Sequence, residues 1–111
     1  MEKYELLPQQ LVREGTVKEE NFYSPKPIDD QWIVGPHRLE YLTRLKDLAL
    51  NRSEERATGF PLSRQLVDRE IEILGGSVQS ALFALDFGIA MNIAGGTHHA
   101  FSDRGEGFCL L

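Results

Sequence analysis

The sequence predicts an α/β chain, mostly helical, with one main buried strand. Three observations carry that expectation. Leucine, isoleucine and valine recur every three or four residues between Leu62 and Phe87, the longest periodic stretch of the chain. Gly88 closes it, and an apolar run from Ile89 to Ala94, interrupted only by Asn92, follows at once. A short run that is apolar on both faces and bounded by glycine reads as a buried parallel strand. Gly95 and Gly96 then lead into the adjacent pair His98 and His99, and loops leaving the carboxyl ends of such strands are where α/β folds place chemistry.

The other elements follow in chain order. Tyr4, Leu7 and Leu11 lie at helical spacing, so residues 2–14 read as a helix stopped by Gly15, with Pro8 marking either its start or a kink. Residues 16–27 are polar and carry Pro25 and Pro27, which suits a surface loop with room for an edge strand near Val17. Asp29 to Val34 reads as one or two helical turns, its aspartates at the positive end of the helix dipole. Leu39, Leu42, Leu45 and Leu48 set a helix over 38–50. Residues 51–58 are charged and read as a short solvated turn or helix, and Gly59-Phe60-Pro61 breaks the chain. Ser63 is placed to cap the long helix over 62–87. Within it, Gly75-Gly76 costs about 1 kcal/mol per glycine relative to alanine, so the pair marks either a break or a close approach of backbone.

Composition narrows the function. The chain has 111 residues, enough for one domain with a modest core. Its 17 acidic and 12 basic residues give a net charge of −5, and no basic stripe stands ready to meet nucleic-acid phosphates. A single cysteine, Cys109, excludes an internal disulfide and fits a reducing cytoplasm. No apolar run approaches the roughly 20 residues of a membrane span. The stretch Cys109-Leu110-Leu111 is apolar directly after the loop richest in chemistry, which reads as a segment of a larger fold.

Gly95-Gly96-Thr97-His98-His99-Ala100 followed by Gly107-Phe108-Cys109 resembles the histone deacetylase signature. Ser102-Asp103-Arg104-Gly105 looks like the class IV branch of that family, His37-Arg38-Leu39-Glu40-Tyr41 resembles its amino-terminal segment, and Gly59-Phe60-Pro61-Leu62-Ser63 through Glu70 is similar to bacterial members. The resemblance implies an arginase/deacetylase-like parallel-sheet fold, of which residues 1–111 would be a single partial domain, the front third of the catalytic domain. It implies zinc-dependent hydrolysis of an acyl-lysine or a related acylated amine. His98 and His99 would be the catalytic pair that manages protons. Gly107 would line the acyl-lysine tunnel through its backbone, and Phe108 would form a tunnel wall along the lysine stem. The family's zinc ligands map to no residue of this chain, so neither bound zinc nor catalysis is expected of it alone.

The remaining residues receive plainer readings. His37 is expected to be a structural histidine bonding a carbonyl near a helix start. Asp103 and Arg104 read as an exposed ion pair worth under about 1 kcal/mol. Cys109 reads as buried and inert, Trp32 and Tyr41 as core or interface aromatics, and Glu54-Glu55-Arg56 as a solvated charge run. Two function classes stand side by side. One is a segment of an acyl-amide hydrolase. The other is a non-enzymatic helical module that self-associates, as a homo-oligomer, through the unpaired edge of the strand at 89–94.

Overall fold

A computed structural model describes residues 2–95 and 98–111. Among these residues five α-helices follow one another: α1 (Lys3–Arg13), α2 (Asp30–Val34), α3 (Leu39–Lys46), α4 (Arg52–Thr58) and α5 (Arg64–Phe87), with a 3₁₀ turn at Glu19–Asn21 between the first two. None of them is long and apolar enough to cross a membrane.

Each helix owes its limits to local chemistry. α1 begins ahead of Pro8 and runs through it. α4 is a firm helix because the Asn51 side chain accepts the Ser53 and Glu54 amides while Glu54 reaches back to the Asn51 amide at 2.8 Å. That reciprocal box satisfies donors the first turn would leave open. Gly59, left-handed at φ 81°, ends α4, and Gly88, at φ 87°, ends α5. The Ser63 hydroxyl caps α5 by accepting the Leu66 amide at 3.2 Å.

The long helix is continuous across Gly75-Gly76, which decides between the two readings of that pair. A Cβ at Gly75 would stand 3.0 Å from the Lys26 carbonyl oxygen and 3.1 Å from Ile28 Cγ2. One at Gly76 would stand 3.1 Å from Asn92 Nδ2. The glycines therefore let two irregular segments lie directly on the helix.

The α/β expectation is overturned. Among the described residues there is no strand and no sheet. Ile89 and Met91, expected inside, are 72% and 80% exposed. A strand needs a neighbour to complete its hydrogen bonds, and no described extended segment runs beside residues 89–94. Asn92, the one polar residue of the run, supplies the bonding instead. Its Nδ2 donates to the Ile73 carbonyl at 2.8 Å and to Ser77 Oγ at 3.0 Å. Its Oδ1 accepts the Ala94 amide at 3.1 Å, and its carbonyl accepts the Gly95 amide at 3.1 Å. The run is a turn pinned to α5. Self-association through a strand edge loses its strand, and the edge strand near Val17 is likewise absent.

The core lies between α3, the first half of α5 and the returning chain end. Leu45, Val67 and Leu110 are buried at its centre, with Leu50, Leu62, Leu66, Ile71 and Leu111 packed around them. Ile33, Tyr41 and Leu42 are buried as well. Trp32 is 53% exposed, so it is no core aromatic, whereas Tyr41 is. The Tyr41 hydroxyl donates to the Leu110 carbonyl at 2.8 Å, across 69 residues of chain. Burial, aided by the nearby Glu54 charge and opposed by Arg44, pushes its phenol up to about 12 from 10.0.

Two substitutions test this packing. Gly75→Ala, which helix propensity alone would reward by about 1 kcal/mol, should instead lower stability by about 1–2 kcal/mol, because the Lys26 carbonyl must shift. Urea unfolding of the two proteins gives the sign. Tyr41→Phe should cost about 1–2 kcal/mol at neutral pH by leaving the Leu110 carbonyl unpaired. The phenol holds its proton more tightly folded than unfolded, so its contribution is complete below about pH 10 and is lost as pH rises toward 12. That two-unit gap corresponds to at most about 3 kcal/mol. Wild type should thus lose more stability than Tyr41→Phe between neutral pH and about pH 11.

Candidate functional site

The glycine-rich segment 98–111 is fixed mainly by its backbone. The Arg38 amide donates to the Ser102 carbonyl at 2.7 Å, Gly107 to Ala57 at 2.9 Å, and Phe108 to Thr58 at 2.9 Å. The Phe101 carbonyl faces His37 Nδ1 at 2.9 Å, and because a carbonyl can only accept, Nδ1 is the protonated ring nitrogen. His37 is thus a buried structural histidine just ahead of α3, as its sequence position suggested. A Cβ at Gly105 would collide with the Cys109 carbonyl oxygen and press on Thr58 Cγ2 at 3.1 Å, so only glycine fits where the loop crosses the end of α4.

The predicted site residues gather here. The rings of His98 and His99 stack with centroids 5.5 Å apart and planes 20° from parallel. Both residues are exposed. The His99 amide donates to Cys109 Sγ at 3.3 Å, which ties the pair to a buried thiol. Gly107, at φ 52°, lies against the His99 ring; a Cβ on it would stand 3.2 Å from Cδ2 and Cγ. Phe108 follows, 61% exposed, with its backbone also left-handed, at φ 68°. For a non-glycine residue that conformation is strained, and the Thr58 carbonyl holds it in place. Gly96 and Thr97 of the histidine motif lie outside the described residues.

Sequence reasoning missed the residues that aim Phe108. The Phe60 ring meets it edge-on at 5.3 Å, and a Cβ at Gly59 would sit 2.8 Å from Phe108 Cε1. Gly59 is therefore a notch as well as a helix stop. Glycine placed directly before Phe-Pro is the available signal, and by itself it marks only a break in the chain.

The charges of α4 are also more engaged than a solvated run. Arg44 Nη1 donates to both Glu54 oxygens, at 2.8 and 2.9 Å. Burial opposes ionisation of Glu54, yet the Asn51 amide and Arg44 outweigh it and hold the carboxyl below its ordinary value. Glu55 Oε1 accepts the Leu62 amide at 2.9 Å, bracing the Phe60-Pro61 turn. At the exposed rim Arg104 pairs with Asp103 at 3.2 Å, as the sequence suggested, and with Glu106 at 2.9 Å. It also lies 3.9 Å over the Phe101 ring, a cation–π contact.

Chemically the cluster offers two stacked imidazoles, a side-chain-free glycine beside them and an outward aromatic face. It offers no metal cradle. Among the described residues no group of three or more His, Cys, Asp or Glu side chains could hold a metal ion. The residues present do not fit a zinc site, and none is assigned as a ligand.

Comparison with known proteins places this cluster in context. The family model for the histone deacetylase domain matches residues 1–111. An uncharacterized protein of Picosynechococcus sp. (strain PCC 7002) is 38% identical over 111 residues, which is 100% of this chain and 37% of that protein. Histone deacetylase 2 of Arabidopsis thaliana is 31% identical over 107 residues, covering 91% of this chain and 28% of its own length. The chain thus spans about a third of the curated relatives it matches. With the family model aligned from the first residue to the last, the chain belongs to the histone deacetylase family.

Proposed function

We propose that this chain is a segment of a deacetylase that hydrolyses acyl-lysine or a related acylated amine, supplying the proton-handling and channel-lining residues. The observation that carries the reading is the packing of Gly107 against the His99 ring, with Phe108 held outward beside it. A lysine stem laid along the Phe108 face and past the bare Gly107 backbone would bring its acyl amide to the imidazole pair. One imidazole then takes a proton from water as the water oxygen adds to the amide carbonyl. The C–N bond breaks as the other imidazole, or the same one, returns a proton to the departing amine. The order suits adjacent histidines, because two neighbouring rings can approach one water.

Family membership implies zinc in the whole enzyme, and the described residues offer no seat for it, so we propose that the chain alone turns over no substrate. A cytoplasmic setting is favoured by the free Cys109. The alternative, a self-associating helical module, retains one feature: the exposed apolar row of Leu82, Leu85, Phe87, Ile89 and Met91. The enzymatic reading is preferred because it accounts for the strained backbone at Phe108 as well as for the family match.

The test joins this chain to the parts of the Picosynechococcus relative outside the matched stretch. With zinc supplied, the joined protein should release acetate from an acetyl-lysine peptide while the chain alone releases none. His98→Ala or His99→Ala should each lower kcat by about 10²-fold or more. A folded joined protein that works equally well without either imidazole would overturn the assignment.

A further inference from the structure

Next to Phe108 lies an open depression of about 470 Å³ lined by Arg52, Glu55, Arg56, Gly59, Phe60 and Pro61. Two of its lining residues, Gly59 and Phe60, pack against the Phe108 ring. The depression and the proposed channel wall therefore share a border.

Its charge is unusual for this chain. The protein carries a net −5, yet the depression holds two arginines and one glutamate. Glu55 is already engaged, since its Oε1 accepts the Leu62 amide. The neighbouring cations are engaged too: Arg44 with Glu54, Arg64 with the Lys46 carbonyl, Arg104 with Glu106. Among the described residues Arg52 and Arg56 make no ion pair and no side-chain hydrogen bond.

Helix stability does not explain Arg52 either. Arg52 is the first residue of α4, where the positive end of the helix dipole disfavours a cation. Arg56 lies four residues on, so the two like charges face the same side and repel by a few tenths of a kcal/mol. Arg52 is thus placed against the dipole of its own helix, whereas Arg56, in the last turn, suits the dipole and is opposed only by its repulsion from Arg52. The two point instead to a partner of opposite sign. Guanidinium forks above an apolar floor of Phe60 and Pro61 suit a carboxylate on a short aliphatic arm.

We infer that Arg52 and Arg56 form a carboxylate-binding rim beside the Phe108 wall, which selects acylated amines carrying an acidic group close to the acyl-lysine. The inference rests on the proposed channel role of Gly107 and Phe108. The carboxylate comes from an aspartate or glutamate flanking the modified lysine in a peptide, or from the α-carboxylate of a free acylated amino acid.

Isotope-edited NMR on the full chain tests it through two sets of signals: the backbone amides of Gly107 and Phe108, and the Nε–H groups of Arg52 and Arg56. The probes are an acetyl-lysine peptide flanked by aspartates, the same peptide flanked by serines, the aspartate peptide without the acetyl group, and free Nε-acetyl-lysine. The aspartate-flanked acetylated peptide should move both sets and bind about tenfold more tightly than the serine version, a charge-assisted gain of the usual size. That advantage should vanish in the double variant R52Q/R56Q and in high salt, while the serine peptide binds the variant unchanged. A response of free Nε-acetyl-lysine at both sets, equally lost in the variant, supports the rim with the α-carboxylate as its ligand.

If the serine and aspartate peptides move Gly107 and Phe108 alike with equal affinity, the rim is overturned and the channel reading stands. If the aspartate peptide shifts the arginines equally with and without the acetyl group and never moves Phe108, the channel reading fails. The substrate-selecting rim then fails with it.

Discussion

A hydrogen bond from a buried phenol holds the chain end, and the rest of the site depends on it. Tyr41 on α3 reaches the Leu110 carbonyl, and Leu110 fills the core between Leu45 and Val67. With Leu110 seated, the preceding residues have little freedom. Gly105 must cross Thr58 without a side chain, and Gly107 and Phe108 are brought to the last carbonyls of α4. The Ala57 and Thr58 carbonyls lack a partner within so short a helix, so the loop and the helix complete each other. The histidine pair inherits its position from this arrangement through the contact of Gly107 with His99.

Two residues with left-handed backbone, Gly59 and Phe108, meet at the site. Gly59 adopts it freely and thereby leaves space for an aromatic ring. Phe108 adopts it at a cost of about 1 kcal/mol or more, and a hydrogen bond to Thr58 offsets part of that. Such strain persists only where the surroundings over-determine it, and it coincides here with the residue proposed to line the substrate channel. The neighbouring Arg52 and Arg56 add charge to the same border, so shape and electrostatics converge on one face of the protein.

Much of this was legible in the sequence because it rests on short-range chemistry. Periodicity located the long helix, Ser63 and Gly88 marked its ends, and the flanking motif drew attention to His98, His99, Gly107 and Phe108. What misled was the run 89–94. Its composition satisfied the pattern of a buried strand, but burial is a property of neighbours, and Ile89 and Met91 lie in the open. Asn92 looked like a tolerated interruption and is instead the anchor of the turn. Glu54 looked solvated because its partner, Arg44, is ten residues away on another helix. The aiming of Phe108 by Gly59 and Phe60 spans about fifty residues, a distance at which local pattern carries no information.

The central claim is that segment 98–111 is held as a defined surface by main-chain bonds to α3 and α4. Amide hydrogen exchange measures this directly, residue by residue. The account predicts that the amides of Arg38, Gly107 and Phe108, each donated across the chain, exchange far more slowly than those of a free peptide and in step with the α3–α5 core. Exchange of Gly107 and Phe108 at free-peptide rates while the helices stay protected would contradict it.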